Sequence, residues 1–168
     1  ANTEIKPVHL EPFNYPSEEE IESIGVRGIY LANFFGWNAR EQTKLVIDKY
    51  NFETAKKRER THHLYDKLDD IHANGTHDYL KYLKFGYGRA TDDASTDIRN
   101  GLMTREEGIQ MVMKHDPVRP SDLDLWLKFV GMTEAEFIGS VDHLRDPNMW
   151  EKTSSGEWKI KDSIGNHT

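Results

Sequence analysis

The sequence predicts a mainly α-helical domain with a short N-terminal strand and a possible C-terminal hairpin. Three observations carry that expectation. Capping boxes, in which a Ser or Thr is followed three residues on by Glu, occur at Ser17 and Glu20, Thr104 and Glu107, and Thr133 and Glu136. Apolar residues follow the last two at helical spacing, as in Phe137, Val141 and Leu144. Glycines stand where such segments end, at Gly25, Gly86 and Gly131.

Taken in order, residues 1–16 contain three prolines and read as an extended lead-in, a start that suits a chain cut from a longer protein. Ser17 opens a short helix through Ile24, stopped by Gly25. Val26 to Phe35, centred on Ile29, Tyr30 and Leu31, has the composition of a strand; its partner lies elsewhere in this chain or in an N-terminal portion. Asn38 and Glu41 form the next capping box. That helix runs to about Tyr50 with Leu45, Val46 and Tyr50 inward and Trp37 placed to staple its first turn. Residues 51–75 read as a charged loop with one helical turn near Leu64 to Ile71. Within it, Lys56 to Arg60 read as an exposed helix end or loop.

A helix carrying His77 to Phe85 comes next, with Gly75 interrupting its approach. A second helix follows, capped by Thr91, with Asp92 and Asp93 in its first turn and Arg99 near its end. Tyr79, Leu80, Leu83, Phe85 and Ile98 are the expected core of this pair. Thr104 caps a helix to about His115 with Ile109, Val112 and Met113 inward. Pro117 and Pro120 break the chain. Leu123, Trp126, Leu127 and Val130 form another stripe, and Thr133 caps the last helix. Trp150 to Ile160 reads as a hairpin or equally as a loose tail. The expected organisation is one helical domain over 1–168, with 1–16 as lead-in and 151–168 as tail.

Composition narrows the function classes. The net charge of −7 argues against nonspecific nucleic-acid binding, which needs a basic face. With no cysteine there is no disulfide and no thiolate zinc site. No apolar run approaches the roughly 20 residues that span a bilayer, and no signal-peptide pattern opens the chain, so a cytoplasmic location is expected.

Chemistry concentrates in residues 77–99. His77, Lys81 and Lys84, spaced i, i+4 and i+7, put an imidazole and two ammonium groups on one stripe. Gly86, Tyr87, Gly88 and Arg89 are placed to offer backbone N–H groups and a guanidinium to an anion. For Arg89, and for Asp92 and Asp93, a scaffolding role stands beside the binding one. No nucleophile elbow or Walker-type loop is present. The histidines match no zinc spacing. His72 and His77 with Asp78 come nearest, while His62 and His63 point apart in any regular element, so no metal site is expected.

KFGYGRATDDASTDIRNGLMTREEGI, preceded by THDYLKYL, resembles the C-terminal part of the N-acetyl sugar amidotransferases of bacterial lipopolysaccharide and nonulosonic-acid biosynthesis. The resemblance runs from about Tyr15 through GVRGIYLANFFGWN to RDPNMWEK. It implies an ATP-pyrophosphatase-type enzyme of surface polysaccharide (O-antigen) synthesis. Such an enzyme activates a sugar acetamido oxygen with ATP and magnesium, and ammonia from a glutaminase partner converts the group to acetamidino. In the family, the SGG-x-DS nucleotide loop and cysteine pairs belong to an N-terminal ATP-binding domain, and neither occurs in this sequence. The resemblance therefore implies a C-terminal portion that binds no ATP by itself. The substrate-binding residues it carries over are His77, Asp78, Lys81, Lys84, Arg89, Thr91, Asp92 and Arg99. Lys84 and Arg89 would hold phosphate or sugar carboxylate charge, and His77 and Asp92 would bond hydroxyls or orient the cations. The competing reading is a stand-alone helical interaction module without catalysis.

Overall fold

A computed structural model describes residues 4–65 and 72–167. The chain divides into two units, Ala1–Phe52 and Glu53–Thr168. In the first, two helices form where the caps predict them. Helix α1 (Glu18–Ile24) starts with the Ser17 and Glu20 box and ends on left-handed Gly25. Helix α2 (Ala39–Tyr50) starts where Asn38 accepts from the Arg40 and Glu41 N–H groups. The expected strand does not form. Val26 to Tyr30 are irregular and Leu31–Asn33 make a 3-10 turn, because a strand needs a neighbour to take its backbone bonds and these residues pair with none among the described residues. No described residue of 4–52 is buried, so Leu45, Val46 and Tyr50 enclose no core, and Trp37 is exposed.

The second unit holds the core. Helices α3 (Asn74–Phe85), α4 (Arg89–Arg99), α5 (Arg105–His115), α6 (Leu123–Val130) and α7 (Glu134–Val141) follow one another, and the core forms where α3, α6 and α7 meet. Leu83, Leu123, Leu127, Phe137 and Val141 are its buried centre, with Tyr79, Leu80, Tyr82 and Trp126 packed around them. Each of the five centre residues fully buried contributes about 1.5–3 kcal/mol relative to exposure. Helix α4 lies against α5 through the small buried residues Ala90 and Ala94, with Ile109 buried on the α5 side. Phe85, Ile98, Met113, Val130 and Leu144 stay substantially exposed, at the outer edges of the stripes that predicted them inward.

The C-terminal segment folds as a hairpin. Strand β1 (Trp150–Lys152) pairs antiparallel with β2 (Trp158–Ile160), Trp150 opposite Ile160. The Arg145 guanidinium lies over both the Trp150 and Trp158 rings and donates to the Leu83 carbonyl at 3.1 Å, which ties the hairpin to the end of α3. Positions 66–71, which include most of the expected helical turn, lie outside the described residues.

The capping boxes of α5 and α7 make stability pH-dependent. The Thr104 and Thr133 N–H groups donate to Glu107 and Glu136 at 2.8 Å each. Those bonds, with the threonine hydroxyls second, hold both carboxyls below the usual range. A carboxyl whose pKa is lowered by folding stabilises the fold above its unfolded value, about 4.3, and stops doing so as pH falls through its folded value. The melting temperatures of the natural chain and a Glu107→Gln, Glu136→Gln variant should therefore converge as pH drops from about 5 to about 3. A gap that stayed constant with pH would show that these carboxylates do not act through ionisation.

Candidate functional site

Helices α3 and α4 meet at an elbow, Gly86-Tyr87-Gly88. Gly86 ends α3 in the left-handed region, φ +75°, where a side chain would be strained. Gly88 has a different reason to be glycine: a Cβ there would come within 2.6 Å of Asp116 Oδ1.

Asp116 is the cap of α4. Its carboxylate accepts from the N–H groups of Gly88 at 2.8 Å and Ala90 at 3.0 Å, and from the Thr91 hydroxyl at 2.6 Å. The helix therefore begins at Arg89, two residues before the Thr91 cap that the sequence suggested, and Thr91 serves the cap from inside the first turn. Helix α3 is capped in the same way by Asp122, which accepts from Gly75 N at 2.6 Å and from the Thr76 hydroxyl at 3.2 Å. Gly75 thus lies inside the first turn of α3 instead of interrupting it.

Beneath the elbow sits Arg60, 2% exposed. It donates to the carbonyls of His115, Asp116 and Val118, at the C-terminal end of α5, and to the Asp78 carbonyl at 3.2 Å. A guanidinium is well placed at that negative end of the helix. Burial lowers its pKa, and the Asp116 and Asp78 charges oppose the shift. The expectation that Lys56 to Arg60 form a wholly exposed run fails at Arg60.

The Arg89 guanidinium forks onto Asp78, with Nε and Nη2 at 3.1 and 2.9 Å from Oδ1. Asp78 is fully buried. Burial acts to lower the Arg89 pKa, but the bond to Asp78 and the charges of Asp78, Asp93 and Asp92 outweigh it and raise the value. The Gly88 and Ala90 N–H groups and the Arg89 guanidinium are therefore already engaged by Asp116 and Asp78, so that the protein's own carboxylates take up these donors of the anion cradle expected at Gly86 to Arg89.

The outward face of the elbow carries more accessible side chains. His77, with 56% of its side chain exposed, touches Asp78 Oδ1 at 3.2 Å. Lys81 pairs with Asp92 at 2.5 Å and lies over the Tyr87 ring. Lys84 lies over Phe85 and has no carboxylate partner among the described residues. Tyr87 and Phe85 are 41% and 40% exposed. The face thus combines cations with accessible aromatic surfaces.

Residues 44–164 match the family described as LPS biosynthesis protein WbpG-like, C-terminal domain. The chain belongs to this family. Its role therefore lies in lipopolysaccharide biosynthesis. Comparison with curated proteins gives no match.

In this WbpG-like domain the eight predicted site residues divide into three groups. His77, Lys81, Lys84 and Asp92 share the outward face. Asp78, Arg89 and Thr91 are held inside the elbow by one another and by Asp116. Arg99 is exposed at the far end of α4 and bonds only the Thr96 hydroxyl, at 3.3 Å, among the described residues. The sequence reading missed Arg60, Asp116 and Asp122, and it missed the convergence of His62 and His63. Both Nε2 atoms lie 2.9 Å from the same oxygen of Asp97, against the expectation that the two rings point apart. The available signal was the adjacency of two histidines in a segment without regular structure, where successive side chains do not have to diverge.

Proposed function

We propose that the chain is the sugar-binding side of an N-acetyl sugar amidotransferase, which converts an acetamido group to acetamidino with glutamine-derived ammonia during lipopolysaccharide synthesis. The observation that carries this reading is the outward face of the elbow. There Lys81 and Lys84 present charge for a sugar-linked phosphate or carboxylate, and Tyr87 and Phe85 offer rings on which a sugar or base stacks. His77, largely exposed, supplies a hydroxyl partner.

The chain's residues bind and orient; they do not fit ATP. The elbow N–H groups at Gly88 and Ala90 are held by Asp116, and no phosphate loop occurs in the sequence. ATP with magnesium belongs in this reading to an N-terminal ATP-binding domain of the same protein, and ammonia to a glutaminase partner. Calorimetry of this chain with ATP and magnesium should show no submicromolar binding; such binding would move the nucleotide site onto this chain.

In a protein that joins this chain to the ATP-binding domain, Lys84→Ala should weaken binding of a nucleotide-linked N-acetyl sugar by about 1 kcal/mol, roughly fivefold. Its melting temperature should stay unchanged, since Lys84 makes no ion pair among the described residues. The exposed aromatics of the first unit, among them Phe13, Tyr15, Tyr30 and Trp37, favour the interaction-module reading. Sugar-nucleotide binding indifferent to both Lys81→Ala and Lys84→Ala would support that alternative.

A further inference from the structure

The segment just after Arg60 and the buried face of α4 bring together three groups outside the proposed sugar site. His62 Nε2 and His63 Nε2 both stand 2.9 Å from Asp97 Oδ2, and the three atoms all lie within 4.8 Å of one another. Side-chain exposure is 15% for His62, 6% for His63 and 3% for Asp97. The other nitrogen of His63, Nδ1, faces Asp93 Oδ1 at 3.5 Å, and the second oxygen of Asp93 accepts from the Thr61 hydroxyl at 2.6 Å.

Proton placement decides what this arrangement suits. Without a cation, neutral histidines must each carry their proton on Nε2 to bond Asp97. Both Nδ1 atoms are then bare acceptors. They are buried without a hydrogen-bond partner among the described residues, and that of His63 lies 3.5 Å from a carboxylate oxygen. A divalent cation removes the conflict. It takes the place of the two Nε2 protons between the imidazoles and Asp97, and the protons move to Nδ1, where His63 donates to Asp93. A ligating histidine whose outer N–H is held by a carboxylate, itself held by a hydroxyl, is the usual support of a metal site. Two imidazoles and one carboxylate at about 2.0–2.1 Å from a tetrahedral ion stand about 3.3 Å apart, so the 2.9 Å separations need open by only a few tenths of an ångström.

We infer that His62, His63 and Asp97 form a binding site for a divalent transition-metal ion, zinc by its donor set, with Asp93 and Thr61 as supports. The site joins residues 61–63 to α4 and so holds neighbouring Arg60 in place beneath the elbow. Three protein ligands leave the fourth tetrahedral position to a water, and low exposure suits the site to clamping the segment.

Zinc titration of the chelator-treated full chain tests the assignment. One equivalent should bind with submicromolar affinity, and cobalt should give the visible absorption of a tetrahedral site. His63→Gln and Asp97→Asn should each weaken zinc binding at least tenfold, while His143→Gln, at an exposed histidine, should leave it unchanged. A second measurement needs no variant: with zinc added, ring nitrogen NMR of the natural chain should show Nδ1–H on both His62 and His63. Absence of saturable zinc and cobalt binding by the folded natural chain would overturn the inference. So would both rings remaining protonated at both nitrogens when zinc is present.

Discussion

Asp116→Ala is expected to lower the stability of the folded chain by about 3–5 kcal/mol, a large share of the roughly 5–15 kcal/mol that holds a domain together. Three donors lose their acceptor at once, namely the Gly88 and Ala90 N–H groups and the Thr91 hydroxyl, at the N-cap and in the first turn of α4. Arg60, fully enclosed, also loses the charge that does most to offset its burial. Asp116→Asn keeps the shape and one acceptor oxygen and should cost about half as much. Urea unfolding of both variants measures the difference, and amide exchange should rise first in α4. A loss below about 1 kcal/mol for alanine would mean that the cap holds neither helix nor arginine.

Arg89→Met should cost a similar amount, about 3–5 kcal/mol, because it strands the Asp78 carboxylate in a fully buried position. The fork is what matters. Arg89→Lys keeps a charge but at best one of the bonds to Asp78, so a loss of about 1–3 kcal/mol is expected. The sequence left open whether Arg89 binds an anionic ligand or anchors the helix pair, and the bidentate contact with Asp78 favours the anchor. Affinity for a nucleotide-linked sugar, measured on Arg89→Lys well below its melting temperature, should stay within about twofold of the natural protein. A tenfold loss of affinity with an unchanged melting temperature would return Arg89 to the binding face.

Helix starts that are built from neighbouring residues were legible. The boxes at Ser17, Thr104 and Thr133 all form as their spacing implies, since donor and acceptor are three residues apart. Of the two helices that shape the elbow, α3 was legible from its stripes and glycine stop, and α4 from Thr91, the carboxylates after it and Arg99. Their starts were misplaced because their caps come from Asp116 and Asp122, 28 and 47 residues beyond Gly88 and Gly75. Arg60 was read as solvated because its neighbours in the run are charged; its partners are carbonyls 18 and 55 to 58 residues away. Val26 to Phe35 shows the converse error: β-branched and aromatic residues describe a surface that suits a sheet, but the backbone bonds must still find a neighbouring strand. The outward stripe of His77, Lys81 and Lys84 was correctly placed on one helix, since α3 spans all three.

The reaction itself is tested most directly by mass spectrometry. A protein joining this chain to the ATP-binding domain proposed for it is incubated with a nucleotide-linked N-acetyl sugar, ATP, magnesium and ammonium. The expected product has the acetamido oxygen replaced by NH, formed together with AMP and pyrophosphate in equal amounts, and much more slowly when Lys81 and Lys84 are both changed to alanine. Recovery of the sugar unchanged across a panel of such substrates, with the protein folded and binding ATP, would contradict the assignment.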